Sequence, residues 1–133
     1  MSLTRKAAAA TAMALSLILF LAAQQPSDLA GTWSGEATLE GMDEPNTMTL
    51  VLALKEDGKL AGRMTDQYGT VDSEIKDIVL EQGAFNFTVP VMLPQGGQGN
   101  ILFKMKLSSD GMKGEIEIPE MSAKGTWQAT KQK

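Results

Sequence analysis

The sequence predicts an all-β fold, an eight-stranded antiparallel up-and-down barrel placed after an N-terminal signal peptide, and three observations lead there. The tripeptide Gly-Thr-Trp occurs twice, as Gly31-Thr32-Trp33 and Gly125-Thr126-Trp127, so the first and last strands resemble each other and are suited to pair and close a sheet on itself. Between the two copies, six further segments carry strand-like alternation. Tight turns alternate with longer connections, as in a meander whose successive connections fall at opposite ends of a barrel.

The chain begins with Arg5 and Lys6 ahead of an uncharged run from Ala7 to Ala23. That is the order of a secretory signal, a basic segment and then an apolar one, and it predicts export to the periplasm or the medium. Residues 1–23 are read as the leader, with cleavage after Ala23. A membrane-spanning helix needs about 20 apolar residues, and this run is shorter and rich in Ala; Leu21 at the position three before the cut matches a cleavage site less well than Ala, so an uncleaved anchor stays open as the alternative. Residues 24–28 read as a polar tether and 29–133 as the barrel domain. Loss of Arg5 and Lys6 reduces 12 basic residues to 10 against 16 acidic ones, moving the net charge from −4 to −6. Such a field opposes nucleic acid, and no stable membrane insertion is expected once the leader is gone. The absence of Cys excludes disulfides, thiolate chemistry and Cys-held metals.

The strands follow in order. Trp33 shares a face with Gly31, Gly35, Ala37 and Leu39, opposite Thr32, Ser34, Glu36 and Thr38. In 47–55, Met48, Leu50, Leu52 and Leu54 share one face; Leu60 and Met64 continue the inward set after the turn Glu56-Asp57-Gly58. Thr70 to Leu80 changes phase, with Val71 and Ile75 in one register and Ile78 and Leu80 in the other, which predicts a β-bulge near Asp77. Beyond Glu81-Gln82-Gly83, the residues Phe85, Phe87 and Val89 alternate with Ala84, Asn86 and Thr88. Ile101, Phe103, Met105 and Leu107 then alternate with Leu102, Lys104, Lys106 and Ser108. Ser109-Asp110-Gly111 leads to Ile116 and Ile118, and the last strand places Trp127 with Met121, Ala123, Gly125 and Ala129. Glu115 and Glu117 read as outward partners of Lys104 and Lys106. The three tight turns should close one end, while Glu40 to Asn46, Gln67-Tyr68-Gly69, Pro90 to Gly99 and Pro119-Glu120 form the opposite mouth.

The Gly-Thr-Trp opening of a short exported all-β chain, its Asp-Gly hairpins, a Gly soon after the turn and a Trp in the last strand are similar to those of the calycin-like small barrels. That group holds the lipocalins, avidin and streptavidin, and many short secreted bacterial proteins of unknown function. The resemblance implies a barrel of lipocalin-like architecture over residues 29–131. Biotin binding does not carry over, because only Trp33 and Trp127 are present and Gly35 stands where an Asn would follow Gly31-Thr32-Trp33-Ser34.

Two functions of different classes follow. The first is a non-enzymatic exported barrel that binds a small apolar ligand in its interior or mouth, through Trp33, Met64, Tyr68, Phe87, Met92, Leu93, Phe103, Met105 and Trp127. An eight-stranded barrel is just wide enough to be filled by its own side chains or to hold one small ligand. The second is a protein-interaction module, an inhibitor or accessory subunit, with a filled barrel and an exposed apolar patch at Met42, Met92 and Leu93. Exported metalloprotease inhibitors have a comparable barrel, although they usually carry a disulfide. An enzyme is not expected: without His or Cys, acid–base chemistry would fall to a carboxylate pair, and none is placed inside the barrel. No cofactor and no metal is expected, since Asp43 and Glu44 lack the spaced oxygen ligands of a hard-cation loop.

Overall fold

The computed structural model describes residues 25–133; the predicted leader at 1–23 lies outside the described residues. Pro26–Leu29 forms one helical turn, α1. Nine antiparallel strands follow: β1 Gly31–Leu39, β2 Asn46–Leu54, β3 Leu60–Asp66, β4 Asp72–Glu74, β5 Lys76–Glu81, β6 Ala84–Met92, β7 Gln98–Leu107, β8 Met112–Ile118 and β9 Ala123–Lys131. They make one sheet in the order β4-β3-β2-β1-β9-β8-β7-β6-β5, curled into a nearly closed barrel. The two Gly-Thr-Trp strands pair with each other, Ala37 facing Trp127.

The count is nine rather than eight because the fourth predicted strand is broken. Its first half, β4, pairs with β3, and its second half, β5, pairs with β6. Asp77, the second residue of β5, takes a left-handed φ of 53°, and the β5–β6 register slips between Lys76 and Val79, at the place where the apolar phase changes in the sequence. The bend lets Val71 and Ile75 point inward before it, and Ile78 and Leu80 pack on the core after it. One segment thus bridges the two edges of the sheet, with β4 lying close to β6 but no ladder joining β3 to β5.

The three tight turns form one end. At Gln82-Gly83 both residues have positive φ, 43° and 83°, the geometry whose twist matches a two-residue hairpin. Gly111 differs from that expectation: its φ is not positive, and its service is space, since a Cβ there would lie 2.6 Å from the Ala129 carbonyl oxygen. The predicted tether is partly α1, which closes this same end. Leu29 is buried, its carbonyl accepts from the Trp33 indole Nε1 at 2.9 Å, and the Asp28 carboxylate accepts the Gln25 backbone N–H at 2.9 Å.

The inward residues make a core with no buried polar or charged side chain among the described residues. Leu54 and Leu60, expected inside, are half-exposed or partly buried: they pair with each other at the end of β2 and β3, beyond the last β1 partner of β2 at Leu52 and beyond the β4 partners of β3. Pro90 lies within β6 rather than opening a loop. The β5 ladder ends at Thr88, so no donor is demanded of Pro90 on that side. Close strand approach needs glycine at Gly35, where a Cβ would stand 1.7 Å from the Gln128 carbonyl oxygen.

Candidate functional site: the open rim

The structure divides the nine predicted site residues into two sets. Trp33, Met64, Phe87, Phe103, Met105 and Trp127 meet in the interior, each with 5% of its surface exposed or less. There they pack on one another: the Phe87 and Phe103 rings stack with centroids 4.6 Å apart, and Phe103 meets Trp127 edge-on at 5.5 Å. Phe85 extends the row, 5.2 Å from Phe87. The Trp127 indole donates to the Gly35 carbonyl at 3.1 Å. These side chains therefore occupy the space in which a ligand was expected, and the hollows of about 360, 560 and 610 Å³ are lined mainly by outward residues.

Tyr68, Met92 and Leu93 belong to the rim. Tyr68 and Met92 are 60% and 72% exposed, joined by Met42 and Met121, while Leu93 folds over Gly99. The rim consists of four connections, residues 40–45, 67–71, 93–97 and 119–122. They carry Glu40, Asp43, Glu44 and Glu120 and no Lys or Arg.

Two carboxylates fix this rim. Asp66 at the end of β3 accepts the Val71 N–H at 3.0 Å and Asn46 Nδ2 at 3.0 Å, together with the Thr70 hydroxyl. Partial burial pushes its pKa up, but these hydrogen bonds, the Thr70 hydroxyl foremost, outweigh that and hold it below its ordinary value. Gln67 exchanges two bonds with Thr47, so the loop carrying Tyr68 is tied to β2 from both sides. Glu120, in the 3₁₀ turn Pro119–Met121, has its pKa lowered by its own backbone N–H and by that of Asn100, which donates to Oε1 at 3.1 Å. The Gly-rich stretch near Gly96 is a closed turn: the Leu93 N–H donates to the Gly97 carbonyl at 3.0 Å, and Gln98 and Gly99 already belong to β7.

Sequence reasoning missed the Asp66 lock. Asn46 and Asp66 lie far apart in the chain, and only the local Asp66–Thr70 spacing hinted at it. The cluster is a brace and not a cation seat: the carboxylate's lone pairs already meet N–H and O–H donors. Among the described residues no three of His, Cys, Asp and Glu converge as a metal site requires. No family model, curated protein or solved structure matches the chain.

Proposed function

We propose that the chain is an exported, non-enzymatic barrel of the calycin-like kind whose rim binds another exported protein. The observation that carries this reading is the contrast between a core filled by stacked aromatic rings and four exposed apolar side chains at the rim, Met42, Tyr68 and Met121 on the connections and Met92 at the end of β6. An interior ligand would have to displace Phe87 and Phe103. A rim partner displaces only water: burying a Met side chain yields about 1.5–3 kcal/mol, and loops on a rigid scaffold are the usual seat of binding. Methionine also adapts to an uneven partner surface. The four acids without a base favour a partner with a basic, apolar face and a rate of association that falls with salt.

The test is purification of the mature protein from its own compartment, native mass spectrometry, and repetition with the Met42→Ser, Met92→Ser double variant. Both residues are exposed, so the variant should unfold at the same denaturant concentration as the wild type. The proposal expects a protein partner that is lost in the variant and weakened by salt. Extraction of a small apolar molecule from a partner-free barrel, retained in the variant and lost in Phe87→Asp, would overturn it in favour of interior ligand binding.

A further inference from the structure

Outward residues of β6, β7, β8, β9 and β1 stand in rows fixed by the strand register. One row runs Thr88, Leu102, Glu117, Lys124 and the next Asn86, Lys104, Glu115, Thr126, Thr38. In both, Lys and Glu alternate as on an ordinary solvated sheet. The third row runs Ala84, Lys106, Lys113, Gln128, Glu36. Here two lysines stand directly opposite each other, and like charges so placed destabilise a sheet. This register also corrects the expected pairing, in which Lys106 met an acid. With Lys104 alongside, three cations line one groove with one carboxylate, Glu115, while Glu36 ends the row beyond Gln128. Among the described residues the ion pair closer than 4 Å is Arg63–Asp72, on β3 and β4.

The same three lysines line a groove. Its volume is about 610 Å³, and Lys104, Lys106, Lys113, Thr126 and Gln128 line it together with the carboxylate Glu115. It adjoins a second hollow of about 360 Å³ that shares Lys104, Glu115 and Thr126. Gly114 itself lies on the inward face, opposite Met105 and Trp127, and a Cβ there would fall 1.9 Å from the Lys104 carbonyl oxygen, so β8 runs against β7 too closely for any side chain at that position.

We propose that this groove binds a phosphate or sulfate group, held by the ammonium groups of Lys104, Lys106 and Lys113, with the Gln128 amide and the Thr126 hydroxyl as neutral donors. A tetrahedral oxyanion offers several acceptors to donors converging from three strands, and its charge relieves the Lys106–Lys113 opposition. The groove is larger than the ion, leaving room for whatever carries it. The net field of the protein repels anions, so capture must be local to these residues and not a property of the whole surface.

The test compares thermal unfolding of the mature protein in sodium phosphate and in sodium chloride at equal ionic strength, with sedimentation on phosphatidylglycerol and phosphatidylcholine vesicles as a second arm. Phosphate about a hundredfold above its Kd should raise the midpoint by roughly 10 °C. The Lys106→Gln, Lys113→Gln double variant should lose that rise, while Lys59→Gln in the distant β2–β3 turn keeps it. In chloride, Lys113→Gln alone should melt above the wild type, because the opposed charge is gone; a merely structural lysine would lower it. A rise with inorganic phosphate without sedimentation identifies a soluble ester, and sedimentation on phosphatidylglycerol alone, lost in the double variant, identifies a lipid headgroup. No response to either probe, or an equal response in the double variant, overturns the proposal.

Discussion

Phe103→Ala separates a packed barrel from a hollow one. Phe103 is 1% exposed, stacked on Phe87 with an interplanar angle of 10° and set edge-on to Trp127 at 85°. In a filled core, truncation removes the transfer free energy of the ring and leaves a void that rigid neighbours cannot fill, which costs about 3–5 kcal/mol. The two aromatic contacts, each worth about 0.5–1.5 kcal/mol beyond burial, place the cost in the upper part of that range. A domain of this size has a total stability of about 5–15 kcal/mol, so the variant should retain its fold with a much earlier transition. Guanidinium unfolding, followed by fluorescence of Trp33 and Trp127, measures the loss directly. The void should also take up benzene, restoring part of the lost stability, as apolar engineered cavities do. A loss under about 1 kcal/mol, with wild-type protein itself stabilised by benzene, would show that Phe103 faces open space and would refute the packed reading.

Three further outcomes follow from the geometry. Trp127→Phe keeps most of the ring but removes the donor to the Gly35 carbonyl, and should cost about 1–3 kcal/mol by denaturant unfolding with Trp33 as reporter. Gly35→Ala drives a methyl group into the Gln128 carbonyl, and because the obstacle is backbone the β1–β9 pairing must open; the variant should lose more than about 4 kcal/mol, read as loss of the β-sheet circular dichroism signal near room temperature. Asp66→Asn tests the brace through pH: a carboxylate whose folded pKa lies below its unfolded value contributes stability that is complete above the unfolded pKa and disappears as pH falls through the folded one. Wild type should therefore exceed Asp66→Asn by a constant margin at neutral pH, and the margin should close only below the ordinary carboxylate range, in acid titration of the unfolding midpoint.

Period-two alternation made the interior legible where both neighbouring ladders exist. Trp33, Leu50, Phe87, Phe103, Ile116 and Trp127 are all buried, and the phase change near Asp77 located the register slip inside β5, two residues past the break from β4. It failed for Leu54 and Leu60, whose inward direction ends at the unpaired part of β3; alternation reports which way a side chain points, not whether another strand covers it. The rim residues were legible because turn signals marked the four connections, and Met42, Tyr68 and Met121 stood out in them, with Met92 at the adjoining end of β6. The Asp66–Asn46 bond was not, since it depends on the register of β2 against β3. Charge complementarity misled at Lys106: opposite signs suggested a partner in Glu115 or Glu117, whereas Leu107 faces Met112 and thereby sets Lys106 against Lys113.

Two surfaces of opposite charge share this small domain. The rim presents acids and apolar tips at one end, and the groove presents three lysines on the side of the barrel across β7 to β9. Attraction across the barrel is small, because exposed charges separated by more than about 8–10 Å are screened at physiological salt. Each surface therefore acts as its own electrostatic site. Their geometry, by contrast, is shared: β7 runs from the rim at Gln98 to Lys106 in the groove, with Phe103 and Met105 as its inward anchors. Substitutions of outward residues should then change one binding property and leave unfolding almost untouched, whereas Phe103→Ala should weaken rim and groove together. That pattern follows from a rigid shared strand, and a barrel with a hollow, ligand-filled interior would not produce it.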